Sequence, residues 1–112
     1  MDNSFGDCVR QLGTICHMEP YILLKRGTAF SPVDLSDSPY PTPTHLIGWN
    51  ILARRLADKN RGRIFRLVWQ YTDPQTQQCM TACTHWWYDW KQRRVSMQVV
   101  DDCQDVLGVP AG

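Results

Sequence analysis

The stretch RIFRLVWQY, residues 63 to 71, alternates in character along its length and restricts the fold more than any other part of the chain. Successive side chains of a strand point to opposite faces. Arg63, Phe65, Leu67, Trp69 and Tyr71 therefore share one side, and Ile64, Arg66, Val68 and Gln70 share the other. The first set is the one expected to face a core.

The sequence TDPQTQ follows, and Pro74 suits the second position of a turn over Asp73-Pro74-Gln75-Thr76 because its fixed φ matches a type I turn. That turn predicts pairing of Trp69 with Met80, Leu67 with Ala82 and Phe65 with Thr84. Further on, Trp90-Lys91-Gln92-Arg93 forms a second turn closed by Asp89 and Arg94, an opposite-charge cross-strand pair. Here Tyr88 is expected to face Val95, Trp86 to face Met97 and Thr84 to face Val99. Both turns send the even-numbered residues of the middle strand to the core. A slip of one residue would invert that assignment.

Upstream, residues 45 to 58 have helical periodicity, with Thr44 as N-cap and Asn60 and Gly62 as the stop. His45, Leu46, Trp49, Leu52, Ala53, Leu56 and Ala57 fall on the side to bury. Ile47 and Ile51 fall on the opposite, charged side among Arg54, Arg55 and Asp58, either covered by another segment or open to a partner or a second copy. Phe5, Val9, Leu12 and Cys16 predict an N-terminal helix over about 5 to 16. Pro20 limits it, and Tyr21 to Leu24 read as a short strand that continues toward Phe30, with Gly27 as a bulge or bend. SPVDLSDSPYPTPT, residues 31 to 44, is a proline-rich connection.

The expected fold class is α+β: a helix packed on a three-stranded antiparallel β-meander, with an N-terminal helix plus short strand, in one domain over residues 1–112. Helix followed by meander resembles cystatin-like small α+β folds in architecture, and architecture alone does not deliver function.

Composition removes several classes. Hydrophobic content of 43% with 21% charged residues is that of an ordinary globular chain. No apolar stretch approaches the roughly 18 to 20 residues that a membrane span needs, so no membrane association is expected. MDNSFGDCVRQLG has neither the basic start nor the apolar run of a signal peptide. With five cysteines, an odd number, the expectation is free thiols in a reducing, cytoplasmic setting. The net charge of +1 conceals a division, since residues 54 to 94 hold nine basic side chains against three acids and the remainder is acidic. A positive patch for an anionic partner follows from that division.

With even positions buried, the middle strand turns Cys79, Thr81, Cys83, His85 and Trp87 outward. The predicted register sets Arg66 beside Cys83 and Ile64 beside His85. Cys79 and Cys83 lie about 13 Å apart in an extended strand, too far to share one ion with bonds of about 2.3 Å, so no metal and no cofactor is expected. There is no phosphate loop, paired-carboxylate motif or nucleophile elbow, and the weight of the sequence is against an enzyme.

The reading that the residues support best is a small non-enzymatic interaction protein, of accessory or inhibitor type, that binds an acidic protein surface. Its expected contacts are the Trp90, Lys91, Arg93 and Arg94 turn, Arg63, and the outward face of His85, Trp87 and Arg66. Ile47 and Ile51 are the candidate contact for a homo-oligomer. Two alternatives stand beside it: single-stranded nucleic-acid binding by interleaved aromatics and arginines, and a small-ligand or enzymatic pocket between helix and sheet.

Overall fold

The computed structural model describes residues 18–38 and 45–100. Its elements in chain order are β1 (Met18–Arg26), β2 (Ala29–Pro32), α1 (Leu46–Lys59), β3 (Ile64–Thr72), β4 (Cys79–Asp89) and β5 (Arg94–Val100). The strands form one antiparallel sheet in the order β2-β1-β3-β4-β5. The expected three-stranded meander is thus corrected to a five-stranded sheet, with β3, β4 and β5 as one part of it. The expected N-terminal helix lies outside the described residues, as do Thr44 and the proline-rich residues 39–44.

β1 is where the sheet exceeds the expectation. Its apolar run Ile22-Leu23-Leu24 is buried throughout, as a short continuous apolar run can be when both faces of a strand are covered. Ile22 and Leu24 enter the cluster beneath α1, and Leu23 enters a cluster on the other face. At Gly27 the chain reverses instead of bending, because Gly27 takes a left-handed φ of 61° between the paired residues Arg26 and Ala29. A glycine first in a two-residue loop is the type II′ hairpin arrangement. Pro20 sits inside β1 opposite Trp69, and Pro32 ends the edge strand β2, positions that spare the ladder a missing donor.

α1 covers one face through the side that its periodicity indicated. Leu46, Leu52, Ala53 and Ala57 are buried against Phe65, Leu67, Trp69 and Trp86, with Trp49 and Leu56 packed at the margin. His45, expected on the buried side, is instead exposed, standing at the N-cap before the helix begins. Asn50 is buried as well, and its side-chain amide donates to the Leu46 carbonyl at 2.9 Å. Thr84, also in the interior, accepts a hydrogen bond from the Trp86 indole at 2.9 Å.

The β4–β5 register is the expected one, with Asp89 opposite Arg94, Tyr88 opposite Val95 and Trp86 opposite Met97. The β3–β4 register is displaced by two residues: Phe65 pairs with Trp86, Leu67 with Thr84 and Trp69 with Ala82. The cause is the turn. Gln77 adopts a left-handed φ of 59° and donates to the Asp73 carbonyl at 2.8 Å, so the connection runs from Asp73 to Gln78 before Thr72 meets Cys79. A shift of two keeps every side chain on its face, and the even positions of β4 remain on the helix side.

Candidate functional site

The face opposite α1 is covered in large part by the protein's own residues. Leu23, Val68 and Cys83 are each 1% exposed or less, with Tyr21, Phe30 and Val100 packed against them. The displaced register sets Arg66 opposite His85, Val68 opposite Cys83 and Ile64 opposite Trp87, and on the other side Gln98 and Ser96 flank His85 and Trp87. Arg66 is only 7% exposed and its Nε donates to His85 Nε2 at 2.7 Å. Phe30 of β2 closes over both, its ring 4.3 Å from the Arg66 guanidinium and its centroid 5.5 Å from that of His85. His85 must therefore accept through Nε2 and carry its proton on Nδ1. Trp87 is half-buried.

Cys83 is disulfide-bonded, which corrects the reading of all five cysteines as free thiols. Cys79, by contrast, is a free, exposed thiol. A disulfide persists in oxidising surroundings, so the cysteine argument for a reducing compartment no longer holds. Among the described residues, no three of His, Cys, Asp and Glu converge on a point where an ion could sit.

The basic turn lies elsewhere, and it meets the helix. Trp90-Lys91-Gln92-Arg93 forms the four-residue loop expected of it, and the Asp89 carboxylate accepts from the Lys91 and Gln92 backbone N–H groups at 2.9 and 3.2 Å. Asp89 thus braces the turn through its backbone. Arg93 takes a φ of 57°, and the Arg94 guanidinium donates to Gln92 Oε1 at 2.8 Å. Trp90 is 62% exposed, and its ring meets that of Tyr88 edge-on with centroids 4.8 Å apart.

Between this turn and the charged side of α1 runs an open cleft of about 420 Å³. The helix contributes Ile51, Arg54, Arg55 and Asp58 to it, and the hairpin contributes Tyr88, Arg93, Arg94 and Val95. Arg61, just past the helix, completes the wall. Its guanidinium lies 3.9 Å from the Tyr88 ring centroid and 5.7 Å from that of Trp90. Its edge reaches back to the helix, with Nε donating to the Asp58 carbonyl and a terminal nitrogen to Asp58 Oδ1, both at 3.2 Å.

The structure accordingly separates the residues singled out in the sequence into two groups. Arg93 and Arg94 come together with Ile51 in the cleft, Trp90 stands beside it, and Ile47 is 59% exposed along the helix from Ile51 at 46%. Lys91 and Arg63 are exposed, with Arg63 leading into β3 at the same end of the sheet. Arg66, His85 and Trp87 share the opposite face. Arg54, Arg55, Asp58 and Tyr88 are cleft residues that the sequence reading did not assign to a site. The signal for the three helix residues was present, since positions 51, 54, 55 and 58 recur at helical spacing on one side.

No protein-family model matches the chain, and neither the curated proteins nor the solved structures provide a match. Among the described residues no helix is long and apolar enough to cross a membrane.

Proposed function

We propose that the chain is a small interaction protein that binds an acidic protein surface through the cleft between α1 and the β4–β5 turn. One observation carries this reading: arginines from two distant segments, Arg54 on the helix and Arg93 and Arg94 on the hairpin, line the same opening. Arginine is the side chain that grips carboxylates with a planar, two-pronged fork. An exposed tryptophan at the rim adds the other residue type that dominates binding hot spots. Binding here is a matter of contact and charge, without a chemical step.

The His85, Trp87 and Arg66 face lies on the other side of the sheet from this cleft and is left out of the proposed surface, because Arg66 there is buried and engaged with His85. A second reading, binding of single-stranded nucleic acid, draws on the same exposed Trp90 beside arginines, an arrangement that suits a stacked base next to a phosphate.

The test is an affinity purification from the native host with the full chain and with a Trp90→Ala, Arg93→Ala double variant, each with and without nuclease. The expected result is a stoichiometric protein retained by the parent chain, lost from the folded double variant and indifferent to nuclease. Equal retention by both proteins removes the cleft as the site, and loss on nuclease treatment transfers the reading to nucleic acid.

A further inference from the structure

The cleft is not uniformly basic. Ile51 from the helix and Val95 from the hairpin line it together with Arg54 on the helix side and Arg93 and Arg94 on the hairpin side. Ile51 is 46% exposed although it belongs to a well-formed helix, and a branched apolar side chain left in water among arginines forgoes stabilisation that its burial would supply. A polyanion of uniform charge, such as a nucleic-acid backbone, gains nothing from that position. A peptide with an apolar side chain between acidic ones gains from it twice, by burying Ile51 and by holding its carboxylates against the guanidinium forks.

We infer that the cleft takes a short acidic peptide segment with one large apolar side chain, seated between Ile51 and Val95, and flanking carboxylates on Arg54, Arg93 and Arg94. The inference rests on the acidic-partner reading above and specifies the sequence chemistry of the partner. The volume of about 420 Å³ accommodates one such side chain with its neighbours, not a folded domain. Arg61 prepares the site without needing to move, because Tyr88 holds its face and Asp58 its edge. Little rotamer freedom is then lost there when a ligand arrives.

Three probes separate the contributions: a five-residue peptide of four glutamates around a central phenylalanine, the same peptide with serine at the centre, and a short oligothymidylate. Each is titrated into the full-length protein at low and high salt, with tryptophan emission as the readout and calorimetry as a check. The phenylalanine peptide is expected to bind about tenfold or more tightly than the serine peptide, the step that one buried apolar side chain readily supplies. Ile51→Ser is expected to abolish that preference, bringing the phenylalanine peptide down to the affinity of the serine peptide, whereas Arg94→Gln weakens both peptides.

Equal affinity of the two peptides, no binding of the phenylalanine peptide at millimolar concentration, or tighter binding of the oligothymidylate overturns the inference. The result is separable from that of the purification. A partner lost from the Trp90, Arg93 double variant but kept by Ile51→Ser leaves the acidic-partner reading standing and removes the apolar anchor.

Discussion

The Arg61 guanidinium lies over the Tyr88 ring at 3.9 Å and joins the end of α1 to the β4–β5 hairpin, two segments far apart in sequence. It helps to form the back wall of the cleft, and its worth can be measured. A cation over an exposed aromatic ring contributes about 0.5–1 kcal/mol. A double-mutant cycle of Arg61→Ala and Tyr88→Leu, read by urea unfolding, should return a coupling of about that size. Additive effects would mean that the stack is a contact without energetic consequence.

The turn that displaces the β3–β4 register carries a strained residue. Gln77 holds a φ of 59°, a region that costs a non-glycine residue about 1 kcal/mol or more. Gln77→Gly should raise the urea midpoint, partly offset by loss of the bond from its side chain to the Pro74 carbonyl. The measured gain is expected to be positive and below about 1 kcal/mol. A lower midpoint would show that the side-chain bond outweighs the backbone strain.

Tyr21 gives stability an alkaline limit. Burial pushes its phenol above the ordinary value, against the opposing pull of the Arg66 guanidinium. The fold therefore favours the neutral phenol, so this contribution is complete below the ordinary tyrosine value of about 10 and is lost as pH rises through the higher folded value. Ultraviolet titration of phenolate should show one tyrosine ionising late, and Tyr21→Phe should remove it and reduce the alkaline loss of stability. A late tyrosine that persists in Tyr21→Phe would assign the effect to a different ring.

Reduction tests the covalent tie at Cys83. Breaking a disulfide costs a small domain about 2–5 kcal/mol, so reductant should lower the unfolding midpoint of the parent chain and leave that of Cys83→Ala unaltered. Cys79→Ser should behave as the parent does, because Cys79 is free. Peptide mapping without reductant should recover the Cys83 peptide in a linked pair. Identical unfolding with and without reductant would be incompatible with a stabilising bond.

The degree to which these features were legible in the sequence follows from how local each one is. The β4–β5 pairing rests on four loop residues and on Asp89 opposite Arg94, and it is found as read. The β3–β4 pairing depended on the backbone of Gln77, whose left-handed conformation has no signature in a glutamine. The error was even, so Phe65, Leu67 and Trp69 still face the helix. β1 joins the sheet beside β3, and nothing in Ile22-Leu23-Leu24 says which strand it will pair with, because a short apolar run specifies burial and no partner. The cleft was hidden for a similar reason. The helix wheel set Ile51 with Arg54, Arg55 and Asp58, but only the assembled fold shows that the hairpin arginines stand across from them.

The placement of β1 has a consequence for how the molecule comes into being. The β1–β2 hairpin is made early in the chain, yet the neighbour that completes β1 is β3, which is synthesised only after the connection and α1. Closing so long a loop costs entropy before the contacts compensate. The hairpin and the β3–β5 portion should consequently acquire structure separately, and their docking along β1 and β3 becomes the slow step. Until it occurs, Leu23 and Val68, both lost to solvent in the finished sheet, are the surfaces through which a nascent chain would stick to others or be held by a chaperone.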